Sequence, residues 1–174
     1  MQIRKMAMCA IFSALICVCA WLALPLGDVT ITMQTFGIFL SLYLLGGKYG
    51  CVSILVYLLL GAVGLPVFSG FRGGIGVLFG TTGGYIWGFL CAGLLYWLIT
   101  ALWGNHLNVR IFSSVLAMIA CYILGSLWYF YIYLDKASIS LWAVVLKCVV
   151  PYILPDAMKL TLAHTLANKL EKYI

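Results

Sequence analysis

From Met6 to Leu26 the chain carries no charged side chain. A run of that length can cross a bilayer as one helix, because the hydrocarbon core asks for about 20 apolar residues. Five further apolar segments follow, each closed by glycine, proline or a small group of charges. Such a chain lacks the residues to cover a water-soluble core: 66% of its 174 residues are hydrophobic and 8% are charged, against roughly 45–50% and about a quarter in soluble domains. Soluble enzymes, nucleic-acid-binding modules and disordered proteins are excluded. An integral membrane protein remains, with room for at most about seven or eight spans, and residues 1–174 read as one transmembrane domain with no separate soluble part.

The net charge of +6 would point to nucleic acid in a soluble chain. In a membrane chain it reads as orientation, since basic residues collect on the cytoplasmic side. Arg4 and Lys5 followed by the first apolar run imitate a signal peptide, but the run is about twice a typical h-region and is expected to stay as an uncleaved first span. The seven cysteines sit inside apolar runs without a C-x-x-C pair, so they read as small packing residues.

The breaks predict six spans. The first covers about residues 5–24 and ends at Pro25-Leu26-Gly27-Asp28. The second opens near Thr32-Met33-Gln34-Thr35 and stops at Gly46-Gly47-Lys48, and the third covers 49–64. A glycine-rich connection over 65–82 leads to a fourth span at 83–104 and a fifth at about 109–134. The remaining stretch, 139–174, would measure roughly 54 Å as one helix against a core of about 30 Å. Pro151 and Pro155 divide it into a short outer-leaflet segment over 140–150 and a sixth span with Pro155 in its first turn, ending at Lys169-Leu170-Glu171-Lys172. With both termini cytoplasmic, the inner ends hold Arg4, Lys5, Lys48, Arg110, Lys169 and Lys172, while the outer loops hold Arg72 and Lys136, a division that favours this orientation. The glycine-rich connection and the Pro151–Asp156 break then share the outer face. Irregular backbone at membrane depth survives only inside protein or along a cavity, so a ligand pocket is expected there.

Asp156 and Lys159 stand one helical turn apart on the last span. Ionisable residues inside a membrane are costly and by default mark a functional site, although a structural ion pair or a helix cap would use the same residues. The glycine-dense stretch 70–84 lacks the G-x-x-x-x-G-K-[ST] pattern and a preceding strand, which argues against a nucleotide site. Phe68, Phe71, Phe79, Tyr85 and Trp87 supply aromatic faces there, as interfacial belts also do. In the first span Ala10 and Ala14 make a small-xxx-small pattern that permits close helix approach. His106 and His164 have no second ligand at metal spacing, and no serine has a nucleophile motif around it; neither a metal, a cofactor nor an enzyme activity is expected.

Several motifs together carry a family likeness. They are Thr32-Met33-Gln34-Thr35-Phe36, Gly46-Gly47-Lys48-Tyr49-Gly50, Gly64-Leu65-Pro66-Val67-Phe68, Gly80-Thr81-Thr82-Gly83-Gly84-Tyr85-Ile86-Trp87-Gly88-Phe89 and Pro151-Tyr152-Ile153-Leu154-Pro155-Asp156-x-x-Lys159. In this order, over most of the chain, they resemble the BioY family, the biotin-specific S-components of energy-coupling-factor (ECF) vitamin transporters. Thr30 and Thr81 depart from the pattern, standing where proline is expected. The resemblance implies an all-α, six-helix bundle in the bacterial cytoplasmic membrane that captures biotin without an ATPase of its own. It also implies docking, through Ala10 and Ala14 of the first helix, on a transmembrane coupling protein and a pair of ATP-binding-cassette ATPases. The family's Asp-x-x-Lys carries over to Asp156 and Lys159 as pocket residues; Gln34, Phe68, Gly83, Gly84 and Tyr85 of the matching motifs and Arg72 of the outer loop complete the expected binding site. Biotin's chemistry suits them: Asp156 accepts from a ureido N–H, Lys159 donates to the ureido carbonyl, and Arg72 meets the tail carboxylate. The swapped pose, with Lys159 on the tail, is the alternative. Other readings are an S-component for thiamine or riboflavin and, from a different class, a membrane enzyme or structural bundle without a transport role.

Overall fold

The computed structural model describes residues 2–26, 29–133 and 140–173. Helix α1 (Gln2–Trp21) leads into a hairpin of two strands, β1 (Ala23–Leu26) and β2 (Val29–Thr32), and then come α2 (Gln34–Ala62), a one-turn helix α3 (Ile75–Leu78), α4 (Gly83–Trp103), α5 (Leu107–Tyr133), α6 (Leu141–Cys148), α7 (Val150–Leu170) and a terminal 3₁₀ turn (Glu171–Tyr173). Among the described residues, four helices are long and apolar enough to cross a membrane, or five when α6 and α7, bent by 41° at their junction, count as one broken span. Exposed Ile111, Phe112, Val115, Ile119 and Ile123 make the outer face of α5 continuously apolar, as lipid contact requires.

The fold is all-helical as expected, with one short hairpin between the first two helices that the sequence reading did not include. The first span ends at Trp21 rather than near residue 24, because Pro25 cannot continue a helical ladder and the β-branched run Val29-Thr30-Ile31-Thr32 suits an extended strand. β1 pairs antiparallel with β2, Leu24 opposite Ile31 and Pro25 opposite Thr30. The Gly27-Asp28 break of the sequence reading, like Lys136, falls outside the described residues.

α2 holds the second and third expected segments. Gly46, at φ 77° and ψ 164°, interrupts it, a conformation that only glycine adopts at no steric cost. A Cβ on Gly50 would lie 2.8 Å from the Cα of Leu42, whereas eight residues of continuous helix would separate the two by about 12 Å. The chain therefore folds back at Gly46 into two packed arms, 34–45 and 47–62. α1 packs along α2, α2 against α4 and α7, and α4 along α5. The last pair approaches closely because Gly125 leaves room for the Tyr85 ring, 2.2 Å from where a Cβ would stand.

The final stretch divides as proline requires, but one turn earlier than expected. Ser140 caps α6 by accepting from the Ala143 amide at 3.2 Å. α7 then starts at Val150, with Pro151 in the first turn and Pro155 inside the helix. The first-turn position needs no N–H, so Pro151 fits there; Pro155 removes one ladder bond near the helix start, where the frame already bends.

The hairpin and the glycine-rich loop over residues 65–82 meet at one end. Trp21 Nε1 donates to the Pro66 carbonyl at 2.8 Å and its ring stacks on Phe71 at 5.2 Å, while Trp128 Nε1 donates to the Gly80 carbonyl at 3.0 Å. Basic residues gather at the other end. Lys5 lies 4.8 Å above the Tyr49 ring, and Arg110 donates from Nε to Asn105 and from Nη2 to Glu171, at 2.9 and 2.8 Å. The Arg110 hydrogen bond holds the Glu171 carboxyl below its ordinary range.

Candidate ligand-binding site

Helix α7 places Asp156 and Lys159 on one face, 6% and 8% exposed, with Lys159 Nζ 2.8 Å from Asp156 Oδ1. The other carboxylate oxygen is also engaged, since the Tyr122 hydroxyl of α5 donates to Oδ2 at 2.6 Å. A carboxylate offers about four lone-pair sites and an ammonium three donors, so after these bonds the pair still presents an acceptor beside a donor, with no net charge. That arrangement matches a neutral group carrying N–H beside C=O.

The pair borders a cavity of about 150 Å³ walled by the hairpin, the glycine-rich loop and helices α2, α4, α5 and α7. Of the residues singled out in the sequence, Asp156, Lys159, Arg72, Gln34, Phe68 and Tyr85 all line it. Gln34 is locked by two hydrogen bonds, accepting from Thr32 Oγ1 at 2.8 Å and donating to the Tyr57 hydroxyl at 2.6 Å. Phe68 is 1% exposed and meets Tyr57 edge-to-face at 5.5 Å. The Tyr85 hydroxyl reaches Ser126 and the Cys148 carbonyl, both at 3.4 Å. Arg72 stands at the exposed mouth, its Nε donating to the Ser69 carbonyl at 3.1 Å.

Gly83 and Gly84 do not border the cavity. Both are packing positions: a Cβ on Gly83 would strike the Leu78 carbonyl oxygen at 2.0 Å, and one on Gly84 the Cβ of Trp128 at 2.2 Å. Phe71, Phe79 and Trp87 are not among the lining residues either. Sequence reasoning missed Tyr122, which carries no spacing relation to Asp156. It also missed the hairpin, whose Thr30, Ile31 and Thr32 form one wall; the β-branched run after Pro25 was the available signal. Thr30 and Thr81, the two departures from the family pattern, both line the cavity.

On α1, Ala10 and Ala14 are exposed and share a face with Ala7, Ile11 and Val18, so their small side chains lie on the outside of the bundle. Among the described residues no cluster of three or more His, Cys, Asp or Glu side chains is placed to hold a metal.

Comparison with known proteins converges on one family. The BioY family profile matches residues 1–174. "Biotin transporter BioY" of Thermotoga maritima is 39% identical over 170 residues, 97% of this chain and 96% of that protein. "Probable biotin transporter BioY" of Pyrococcus horikoshii is 35% identical over 98% of both chains. Among solved structures, the S-component for biotin from an ECF-type ABC transporter superposes with a TM-score of 0.86 at 26% identity, covering 98% of this chain and 92% of that one. A second S-component of a bacterial ECF transporter superposes at 0.66 and 16% identity, a likeness of fold. The chain belongs to the BioY family.

Proposed function

We propose that this chain is the biotin-capturing S-component of an ECF-type importer, with no catalytic activity of its own. The observation that carries the reading is the buried, mutually neutralised Asp156–Lys159 pair facing the cavity, in a chain whose relatives are named biotin transporters. A ureido head is neutral and needs an acceptor and a donor side by side; a second buried anion at this pair would leave net charge in a low-dielectric site. The head therefore binds at Asp156 and Lys159, and the tail carboxylate at the mouth with Arg72, where solvent reduces the cost of charge. The cavity is smaller than the roughly 300–1,000 Å³ of sites for drug-sized ligands, so entry of biotin moves the loop over residues 65–82 outward.

The membrane arrangement follows from counting the two arms of α2 separately. Together with α1, α4, α5 and α7 they make six transmembrane segments, with α6 a short outer-leaflet helix. The basic residues at the inner end are Arg4, Lys5, Lys48, Arg110, Lys169 and Lys172. Lys147 of α6 joins Arg72 and Lys136 outside, a six-to-three division that still sets both termini in the cytoplasm of a bacterial cell. The exposed alanine face of α1 docks on the transmembrane coupling protein, which links the subunit to two ABC-type ATPases. The test is equilibrium binding of radiolabelled biotin, thiamine and riboflavin to the detergent-solubilised chain. Saturable binding of biotin alone supports the reading, and preference for another vitamin overturns it.

A further inference from the structure

α6 packs on both α5 and α7, and the gap that it spans is a second cavity of about 500 Å³, larger than the ligand cavity. Its walls include Ile119 and Ile123 of α5, Val145 of α6, and Ile153, Ala157 and Leu160 of α7, and its rim is open to the outside of the bundle. Three side chains with polar atoms border it, and all are engaged elsewhere: Tyr122 donates to Asp156, Asp156 also accepts from Lys159, and Ser126 pairs with Tyr85. Almost none of the groove's surface is polar, and a water held in a protein needs two to four polar partners, so the groove offers water little.

Its dimensions select the occupant. Along α5 the lining runs from Val115 to Leu127, about 18 Å of helix, close to the roughly 15 Å depth of one leaflet's hydrocarbon. The groove's walls are almost wholly apolar and it opens sideways along its rim to the outside of the bundle, where the hydrocarbon of that leaflet lies. Water is poorly supported there, whereas one extended hydrocarbon chain matches the groove's length and its apolar lining. We propose that this groove is a binding site for a single acyl chain of a membrane lipid, held between α5 and α7 beneath α6. The site is coupled to the ligand cavity through a common wall, since Met118, Tyr122 and Asp156 line both. A chain in the groove backs the Tyr122 ring and keeps its hydroxyl on Asp156.

The experiment uses the full chain in nanodiscs containing a phospholipid with a diazirine in its acyl chain, followed by photolysis and peptide mapping. Wild type is expected to concentrate adducts at Ile119, Ile123, Ile153 and Ala157, above the level at Ile111 and Phe112, which face bulk lipid. Ala157→Trp fills the groove from α7 and Ile123→Trp fills it from α5; in whichever variant keeps a cooperative unfolding transition, groove adducts should fall to the bulk level. Adducts spread evenly over all exposed apolar residues, or unchanged by both substitutions, overturn the proposal. Chain-to-chain adducts at these positions also overturn it, because a second copy would then be the occupant. Biotin is absent from the assay, so its result is independent of the vitamin assignment.

Discussion

Asp156→Asn separates charge from shape. The amide keeps the outline of the carboxylate and one acceptor, but leaves Lys159, 8% exposed, as a buried ammonium without its counter-charge. At the observed 2.8 Å and an effective dielectric of about 20, the gross attraction is about 6 kcal/mol. Desolvation of both ions offsets much of it, while breaking such a pair from one side costs about 3–5 kcal/mol. That loss falls on the ligand-free protein as well as on the complex, so it shows first as a lower Tm. Affinity reports only what differs between the two states, chiefly the hydrogen bond from a ureido N–H to a charged acceptor. Its worth of about 1.5–3 kcal/mol corresponds to a rise in biotin Kd of about 10- to 150-fold. The assay is equilibrium binding in detergent beside a thermal melt of each ligand-free variant, including Lys159→Ala and the doubly neutral Asp156→Asn/Lys159→Met. The double variant should regain much of the lost Tm and none of the affinity. Wild-type affinity in both Asp156→Asn and Lys159→Ala would refute the site, and a double variant no more stable than Asp156→Asn would refute the argument from neutrality.

Esterification of the biotin tail tests the pose: biotin methyl ester should lose affinity by the same factor in wild type and Lys159→Ala, while Arg72→Ala should bind ester and acid alike, and the reverse pattern would establish the swapped pose. Ala10→Leu or Ala14→Leu should leave biotin binding near wild type but weaken docking and ATP-driven uptake, because both positions are on the exposed face of α1 and a bulky residue there holds a partner helix away; loss of binding by the isolated subunit would contradict this. Gly125→Ala should destabilise by about 1–3 kcal/mol, read as a lower Tm, because the new methyl meets the Tyr85 ring. Glu171 titrates low in the fold, so its pairing with Arg110 contributes fully above the ordinary carboxyl value of 4.5 and is lost as pH falls through the lowered value. The contribution is below about 1 kcal/mol because the carboxylate side chain is half in solvent, and Glu171→Gln should remove that part of the Tm fall on acidification.

The membrane segments were legible because their cause is local. A bilayer demands about 20 apolar residues per helix, and glycine, proline and charge mark where that demand stops; the starts of α4 and α5 and the short α6 fall within about two residues of the sequence reading. The turn at Gly46 was legible for the same reason, as a glycine pair between two apolar runs. The hairpin was not, because Val29-Thr30-Ile31-Thr32 sits beside an apolar helix and was absorbed into a loop between spans. The start of α7 was misplaced by about one turn because both Pro151 and Pro155 can occupy a first turn. What decides between them is the packing of α6, which the local pattern does not contain.

The candidate site divides along the same line. Asp156 and Lys159 stand out because charge in an apolar helix has few explanations, and their three-residue spacing already sets them on one face. Gln34, Phe68 and Tyr85 were located through motifs shared with a family and Arg72 as the cation of the outer loop, and all four border the cavity. Gly83 and Gly84 came from the same motif, yet a neighbouring carbonyl and the Trp128 side chain fill the space around them, so a motif carries its packing residues along with its contacts. Tyr122 had no such advocate: it is 34 residues from Asp156 in sequence and is one aromatic among many on an apolar helix. Only the crossing of α5 with α7 brings its hydroxyl to the carboxylate. A buried charge therefore announces itself in a sequence, while the neutral group that completes its coordination becomes visible only when the helices are assembled.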